Sequence, residues 1–215
     1  LGADIAVIPE CPAPPTTRRG LSWTGTDRRK GVAVLAKDGW RLRRATRRRL
    51  PAFVVPYHVE GPRSFVLLAV WMKGTGPERY VRGLHRAISA CEDLIRAHPT
   101  VILGDLNSNA IWDAEHPGGR SHSDLVARLD ALGLVSAYHH HRGELHGAER
   151  EATFFLYRRP AAPYHLDYCF LPRAWLGDLR GVAVGPRAEW LALSDHLPLT
   201  CDLAPGPLPQ SVALP

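Results

Sequence analysis

The chain has 215 residues, 45% of them hydrophobic, which is enough for one substantial core and predicts a single domain over residues 1–204. No apolar run approaches the ~20 residues that a bilayer-crossing helix requires, which argues against a helical membrane protein. Lys and Arg total 27 against 21 Asp and Glu, and this net charge of +6 favours a polyanionic partner such as DNA or RNA.

The four cysteines are scattered, without the spacing of a metal site or a redox pair. Free thiols in a reducing compartment are therefore expected, which makes the cytoplasm the predicted location. The opening residues 1–4 resemble the end of a helix that enters a strand, so we expect an earlier strand and helix to be missing from this sequence. Residues 205–215 predict a Pro-rich tail outside the domain, and we expect the protein to be a monomer.

Short apolar or alternating runs predict many strands, and two longer segments have helical periodicity. The predicted strands cover residues 4–9, 31–37, 52–59, 64–71, 100–105, 152–157, 165–171, 179–184 and 197–203. The predicted helices cover residues 77–98 and 121–132, with Pro77 suited to the first turn of one and Gly133 to the end of the other. This pattern predicts an α/β fold with sheets packed face to face and helices outside.

A basic stretch follows the second predicted strand, with six arginines between Arg41 and Arg49. Such a stretch attracts polyanions, and in that interpretation Arg43 and Arg47 contact substrate phosphates. The alternative is a solvated edge strand whose positive charge prevents aggregation. The sequence leaves both interpretations open.

Polar residues also lie at or near the ends of several predicted buried strands. They are Glu10, Asp105, Asn107, Asp167, Asp195 and His196. Burying a carboxylate without a partner is costly, so such positions usually bind metal, transfer protons or form ion pairs. Each motif taken singly is better explained by a turn or a helix cap. Together they predict a divalent-metal phosphoesterase in which all six side chains share one cleft.

Phosphodiester hydrolysis needs charge neutralisation at the phosphate, a deprotonated water and help for the leaving oxygen. Glu10 and Asp195 are the predicted ligands of Mg²⁺, or of Mn²⁺, because these cations prefer carboxylate oxygens. Asp105 is predicted to hold the attacking water. Asn107 is predicted to donate its side-chain amide to a phosphate oxygen.

Three further residues are predicted to act on the substrate. His196 contacts the phosphate or transfers a proton, with Asp167 orienting its ring. Trp112 lies in a polar loop and suits stacking on a base or sugar, although tryptophan more often packs in a core. His165 precedes Asp167 by two residues, so the two side chains share one face of an extended chain and His165 is a candidate substrate contact.

The run from His139 to His141 is unusual and suggests a transition-metal site. Consecutive residues of a strand point to alternating faces, however, so three adjacent histidines on a strand cannot chelate one ion. The run is therefore not included among the predicted site residues.

Five short motifs occur in an order that identifies a family. They are Pro9-Glu10, Gly104-Asp105-Leu106-Asn107, Thr153-Phe154, His165-Leu166-Asp167-Tyr168 and Ser194-Asp195-His196. In this order they resemble the endonuclease/exonuclease/phosphatase superfamily, which includes exonuclease III, apurinic endonucleases, pancreatic deoxyribonuclease, sphingomyelinases and inositol-polyphosphate 5-phosphatases. The resemblance covers residues 4–203. It implies a four-layer α/β/β/α sandwich of two mixed sheets, with the site at one end of the two facing sheets.

The resemblance also implies a role for each matched residue. Glu10 binds the metal, Asp105 activates water and Asn107 stabilises the phosphate. Asp195 completes the metal or proton network beside the histidine that Asp167 orients. The sequence departs from the family at residues 70–73, Val-Trp-Met-Lys, where deoxyribonuclease-like members often have Asn-x-His, so a second histidine acid is not evident.

The substrate class is open at this stage. The basic charge favours a nuclease that acts on DNA or RNA, by endonuclease or exonuclease action. The short chain, without long insertions, also suits a small-molecule or phospholipid-headgroup phosphoesterase. A third alternative is a truncated module that binds phosphate or metal without turnover, and the expected loss of a first strand favours it.

Overall fold

The structure is a computed structural model that describes residues 2–73 and 80–205. Residues 206–215 of the predicted tail and Pro77, the predicted start of the first helix, lie outside the described residues. No helix in the described part of the chain has both the length and the apolar character needed to cross a membrane. All four cysteines are free thiols.

The described residues form thirteen strands, four α-helices and three short 3-10 helices. The strands are β1 (Ile5–Cys11), β2 (Leu21–Asp27), β3 (Lys30–Ala36), β4 (Arg41–Arg44), β5 (Val54–Glu60), β6 (Phe65–Trp71), β7 (Thr100–Asp105), β8 (Leu134–Ser136), β9 (Phe154–Phe155), β10 (Pro163–Tyr164), β11 (Asp167–Pro172), β12 (Leu179–Val184) and β13 (Leu199–Leu203). The α-helices are α1 (Val81–Ala97), α2 (His122–Ala131), α3 (Ala137–Arg142) and α4 (Arg187–Trp190), and the 3-10 helices cover Ala110–Glu115, Leu156–Arg158 and Arg173–Asp178.

A six-stranded mixed sheet, in the order β4-β5-β6-β7-β11-β8, forms the centre of the molecule. β6 and β7 are parallel, and α1 supplies the crossover connection that parallel neighbours require. β7 and β11 are antiparallel, and their register pairs Asp105 directly with Asp167. The end of one strand and the start of the next therefore bring two carboxylates to the same end of the sheet.

Two helices cover one face of this sheet. In α1 the buried residues Val81, Leu84, Ile88, Cys91 and Ile95 recur every three or four positions and pack on the sheet. α2 begins at a capping box in which the Ser121 hydroxyl and the Asp124 carboxylate each accept a hydrogen bond from the other residue's backbone amide. The apolar side chains of α1, α2 and the sheet form one core.

Smaller sheets cover the other face. β1, β3 and β2 form a three-stranded antiparallel sheet, and β12 pairs with β13. Their inward residues, among them Val32, Val34 and Val182, join the second core with the buried Tyr138 of α3. The protein is therefore the predicted mixed α/β protein with packed sheets, and the outermost helical layer of the four-layer sandwich stays a prediction.

Two local predictions differ from the structure. The three consecutive histidines lie on helix α3 rather than on a strand, so only His139 is buried and His140 and His141 are exposed. The predicted strand over residues 152–157 is shortened to β9, because Tyr157 and Arg158 both adopt positive φ, 54° and 57°, which an extended strand does not allow.

Candidate active site

Asp105 lies at the carboxyl end of β7 and is 1% exposed. Its two carboxylate oxygens accept hydrogen bonds from Asn107, one from the backbone N–H at 2.8 Å and one from the side-chain Nδ2 at 2.7 Å. Asn107 Nδ2 also donates to the backbone carbonyl of Met72 at 2.8 Å. Both side-chain amide protons of Asn107 are therefore engaged, one of them by the Asp105 carboxylate. Its predicted contact with a phosphate oxygen stays a prediction.

The local sequence explains this geometry. Gly104 adopts φ +134°, and a Cβ at this position would come within 2.1 Å of the Val70 carbonyl oxygen of β6. Only glycine therefore lets β7 approach its parallel neighbour this closely before the chain turns. Asn107 adopts φ 47°, a left-handed conformation that asparagine tolerates better than most residues, which returns its side chain to Asp105.

His196 and Asp167 form the predicted pair. The ring Nδ1 of His196 lies 2.8 Å from Asp167 Oδ2, and Asp167 begins β11 opposite Asp105. Nitrogen and oxygen atoms of these three side chains lie within 4.8 Å of one another. The structure thus brings Asp105, Asn107, Asp167 and His196 into one cluster.

Thr153 links the two backbone segments that carry Asp167 and His196. Its hydroxyl accepts hydrogen bonds from the backbone amides of Leu166 and Asp167, at 2.9 and 3.0 Å. Its carbonyl accepts from the amide of Leu197 at 2.7 Å, so the segment that carries His196 is joined to the start of β11 through one buried residue. The sequence motif contained Thr153, but its role follows only from these contacts.

The surroundings of the cluster favour the protonated forms of both Asp105 and His196. Burial, followed by the neighbouring Asp167 carboxylate, raises the pKa of Asp105 well above its ordinary value. Burial would lower the pKa of His196, but the charge and hydrogen bond of Asp167, with smaller contributions from Asp105 and Asp195, raise that pKa to about 9. His196 is therefore protonated at neutral pH, and Asp105 holds a proton more readily than an exposed aspartate.

Glu10 and Asp195, the predicted metal ligands, lie beside this cluster. Glu10 has φ 54° at a β-bulge in the pairing of β1 with β3, so the bulge turns its side chain out of the regular alternation. Its carboxylate forms an ion pair with Lys30. Its charge contributes to the raised pKa of Asp105, while the charge of Asp195 raises the pKa values of both His196 and Lys30. Both carboxylates therefore act electrostatically on the same site.

These residues fit a divalent cation by their donor chemistry. The pKa of Asp105 is raised first by burial and then by the charges of Asp167 and Glu10, and Asp195 adds a further negative charge beside His196. Hard oxygen donors of this kind suit Mg²⁺ or Mn²⁺. The Lys30 ammonium, which the sequence did not single out, partly neutralises the same charge from beside Glu10.

Trp112 belongs to a row of aromatic rings that ends at the cluster. Its ring centroid lies 5.3 Å from that of Tyr164, Tyr164 lies 6.3 Å from Phe154, and Phe154 lies 4.7 Å from His196. The short pairing of β9 with β10 holds Phe154 beside Tyr164. A half-buried Trp112 at the outer end of this row is consistent with its predicted stacking role.

His165 is placed differently from the other candidates. It is 3% exposed, and its ring packs against Tyr138, 4.4 Å between centroids, and His139, 5.7 Å between centroids. Its Nδ1 contacts the Glu151 carbonyl at 2.8 Å. This burial does not support a direct contact between His165 and a substrate.

Arg43 is not brought to the cluster. The strand register pairs Arg43 with His58, His58 with Val66 and Val66 with Thr100, the first residue of β7. Asp105 is at the other end of β7, five residues or roughly 16 Å farther along the strand. Arg43 therefore lies towards the opposite end of the sheet, on edge strand β4.

Arg47 is also engaged elsewhere. Its guanidinium forms an ion pair with Asp93 of α1 at 3.1 Å and donates to the carbonyl of Thr46 at 3.2 Å. The two arginines thus occupy the edge of the sheet and the surface of α1, as the alternative interpretation of a charged edge expected.

Comparison with solved structures identifies similar folds. A 3'-5' exonuclease, NExo, from Neisseria meningitidis has a TM-score of 0.65 and 20% identity, over 94% of this chain and 89% of that chain. The 3' phosphatase NExo from Neisseria bound to a product DNA hairpin has a TM-score of 0.63 and 19% identity, over 93% and 88%. An AP endonuclease from Archaeoglobus fulgidus has a TM-score of 0.66 and 16% identity, over 93% and 88%. No protein-family model and no curated protein matches the sequence.

Proposed function

The chain has the endonuclease/exonuclease/phosphatase fold, and on this basis we propose that it is a divalent-metal-dependent phosphodiester hydrolase that acts on nucleic acid. The observation that carries the proposal is the cluster of Asp105, Asn107, Asp167 and His196, in which each aspartate is held by a defined partner. Such a cluster combines a base, a cationic group and a supply of negative charge for a metal ion.

His196 provides the positive charge at the phosphate. Because its pKa is about 9, the ring is protonated at pH 7, and Asp167 binds Nδ1 and leaves Nε2 to donate to a phosphate oxygen. Negative charge accumulates on the equatorial oxygens in the transition state, so this contact strengthens as the reaction proceeds. His196 is also able to protonate the leaving oxygen.

Asp105 accepts the proton of the attacking water. Its raised pKa makes it a stronger base than an ordinary aspartate, and Asn107 fixes the direction of its carboxylate. Glu10 and Asp195 would hold the metal ion, with Asp105 and Asp167 close by. Bound there, Mg²⁺ or Mn²⁺ would supply charge neutralisation at the phosphate.

Nucleic acid is the proposed substrate class for two reasons. The chain carries a net charge of +6, and the row from Trp112 to Phe154 offers ring faces for bases or sugars next to His196. The similar structures include an exonuclease, an AP endonuclease and a 3' phosphatase bound to a DNA hairpin. We further propose a monomer in the reducing cytoplasm, where four free thiols are stable.

A phosphoesterase of small molecules or lipid headgroups is the second candidate. The positions of Arg43 and Arg47 favour it, because the most basic stretch of the chain lies away from the cluster and contributes no phosphate contact there. A small phosphoester would need only the cluster itself.

A substrate screen distinguishes the two proposals. The purified chain is incubated with Mg²⁺ or Mn²⁺ and with plasmid, single-stranded DNA and RNA, abasic duplex, 3'-phosphorylated duplex, bis-p-nitrophenyl phosphate or phosphoinositides. We expect hydrolysis of at least one nucleic acid by wild type and none by Asp105→Asn. Hydrolysis confined to the small phosphoesters would favour the second candidate, and magnesium binding without any hydrolysis would favour a non-catalytic module.

A further inference from the structure

A second cluster of metal-binding side chains lies behind the active site. One ligand atom from each of His139, His146 and Glu149 lies within 4.8 Å of the others. His139 is on α3, and the other two residues follow in the adjoining loop. Three adjacent histidines on a strand could not bind one ion together. On the helix only His139 is buried, and His140 and His141 are exposed, so a site here needs only His139 from the run.

The side chains of His139 and Glu149 are nearly closed off from solvent, and His146 is half-buried. The side chain of Glu149 is 5% exposed and accepts a hydrogen bond at 3.0 Å from each of Asn109 Nδ2 and the Gly147 amide. His139 Nε2 lies 3.0 Å from the same carboxylate, and His139 Nδ1 lies 2.7 Å from the Ser136 hydroxyl. An ordinary surface carboxylate is not held in this way.

A second observation also indicates a missing ligand. His165, whose burial separates it from the substrate cleft, has a buried Nε2 without a hydrogen-bond partner among the described residues. Its ring packs beside His139. A buried polar atom without a partner is uncommon, and a bound ion would supply the partner.

We propose that His139, His146 and Glu149 bind a transition-metal ion of the zinc class, and that His165, whose buried Nε2 has no other partner among the described residues, completes the shell. Two imidazoles and one carboxylate are a donor set that zinc accepts, whereas Mg²⁺ prefers oxygen donors alone and keeps its waters. The site is therefore chemically distinct from the carboxylate cluster around Asp105.

Neighbouring side chains contact two of the ligands. Ser136 holds Nδ1 of His139, and His122 Nε2 lies 3.0 Å from Nδ1 of His146. Outer contacts of this kind fix ring orientation in metal sites. The rings of His139 and His146 are stacked at 3.5 Å between centroids with 12° between planes, so they must rotate apart for both lone pairs to converge on one ion.

The ion would join α3 and its loop to the active-site strands. Asn109 Nδ2, besides holding Glu149, donates to the His165 carbonyl at 3.1 Å, two residues before Asp167. Asn109 itself lies four residues after Asp105. Binding would therefore stabilise the frame of the catalytic cluster without contact with the substrate.

The test measures bound metal rather than activity, so it stands apart from the proposed hydrolase function. Untagged full-length protein is stripped with a chelator, dialysed against Zn²⁺ in excess Mg²⁺ and measured by elemental analysis, and parallel samples receive Co²⁺. We expect one zinc per chain, a visible cobalt spectrum of tetrahedral type and a higher Tm with zinc. His139→Ala and Glu149→Gln should lose the zinc and the spectrum, and Ser136→Ala should weaken binding about 10–100-fold.

Matched variants give the controls. His140→Ala and His141→Ala change exposed histidines of the same helix and should retain the ion, and His196→Ala reports zinc held at the catalytic cluster instead. Wild type with no bound zinc, no cobalt spectrum and no zinc-dependent Tm would overturn the proposal and leave a hydrogen-bonded polar network. Loss of zinc in His196→Ala or His140→Ala, but not in Glu149→Gln, would also overturn it. The wild-type cobalt spectrum stays decisive if the cluster variants fail to fold.

Discussion

At the scale of single residues, His196 has the properties expected of a contact made in the transition state. It is protonated at neutral pH, its ring is oriented by Asp167, and the aromatic row ends at its face. We expect His196→Ala to lower turnover about 10²–10⁴-fold with an unchanged circular dichroism spectrum. His141→Ala, an exposed histidine on α3, is the matched control and should retain full activity. Near-normal turnover of His196→Ala would mean that His196 has only a structural role.

The dependence of activity on pH tests the link between His196 and Asp167. Folding raises the pKa of His196 from 6.5 to about 9, so its stabilising charge is fully present below 6.5 and is lost as pH rises through about 9. The alkaline limb of the rate profile should follow the same titration. Asp167→Asn removes the main raising influence, so we expect the alkaline limb to move to lower pH. If the alkaline limb does not move, the rate does not depend on the titration of His196.

The sequence predicted which of these side chains lie together, but it did not predict what each of them contacts. The cluster of Asp105, Asp167 and His196 follows from motifs at strand ends, because strand ends meet at one end of a sheet. The engagement of both Asn107 amide protons depends on the Met72 carbonyl, 35 residues away in sequence. The ion pair of Glu10 with Lys30 depends on a bulge that no local pattern indicated.

At the scale of elements, the approach of β7 to β6 is the most demanding contact near the site. A methyl group on Gly104 would meet the Val70 carbonyl at 2.1 Å and would need an unfavourable φ of +134°. We expect Gly104→Ala to lower the free energy of unfolding by at least about 1–3 kcal/mol, measured by denaturant unfolding. Gly177→Ala, exposed and with nothing within 4 Å of the added Cβ, should change it by no more than about 0.5 kcal/mol. Equal effects of the two variants would contradict the close approach.

Elements with strong periodicity were predicted and short ones were not. The apolar stripe of α1 is long enough to be unambiguous, and its end is within a residue of the prediction. α3 has only six residues, too few for periodicity to distinguish a helix from a strand. The packing of Tyr138 in the second core, which a local pattern does not reveal, accompanies the helix. β2 was not predicted, because its residues Leu21–Asp27 are mostly polar or small and depend on pairing with β3.

At the scale of the whole molecule, the uneven charge predicts where a polyanion binds. Arg43 lies towards the far end of the sheet, whereas Arg159 lies in the connection between β9 and β10, the strands that carry Phe154 and Tyr164, with its guanidinium 5.6 Å from the exposed ring of Tyr157. We expect Arg159→Ala to reduce the slope of log K against log salt for DNA by about 0.9 and Arg43→Ala to leave it unchanged. Affinity measured across a salt series gives both slopes. The opposite result would place the nucleic acid along the charged edge strand.

We propose that the carboxylates around Asp105 use a divalent cation to hydrolyse a phosphodiester. The most direct test is the initial rate of cleavage of the best substrate during a Mg²⁺ titration of chelator-treated wild type and Glu10→Gln. We expect no cleavage without added metal, a saturable rise with Mg²⁺ in wild type and a higher half-saturating concentration in Glu10→Gln, because one ligand charge is lost. Cleavage that persists in excess chelator, or identical titrations for both proteins, would contradict it.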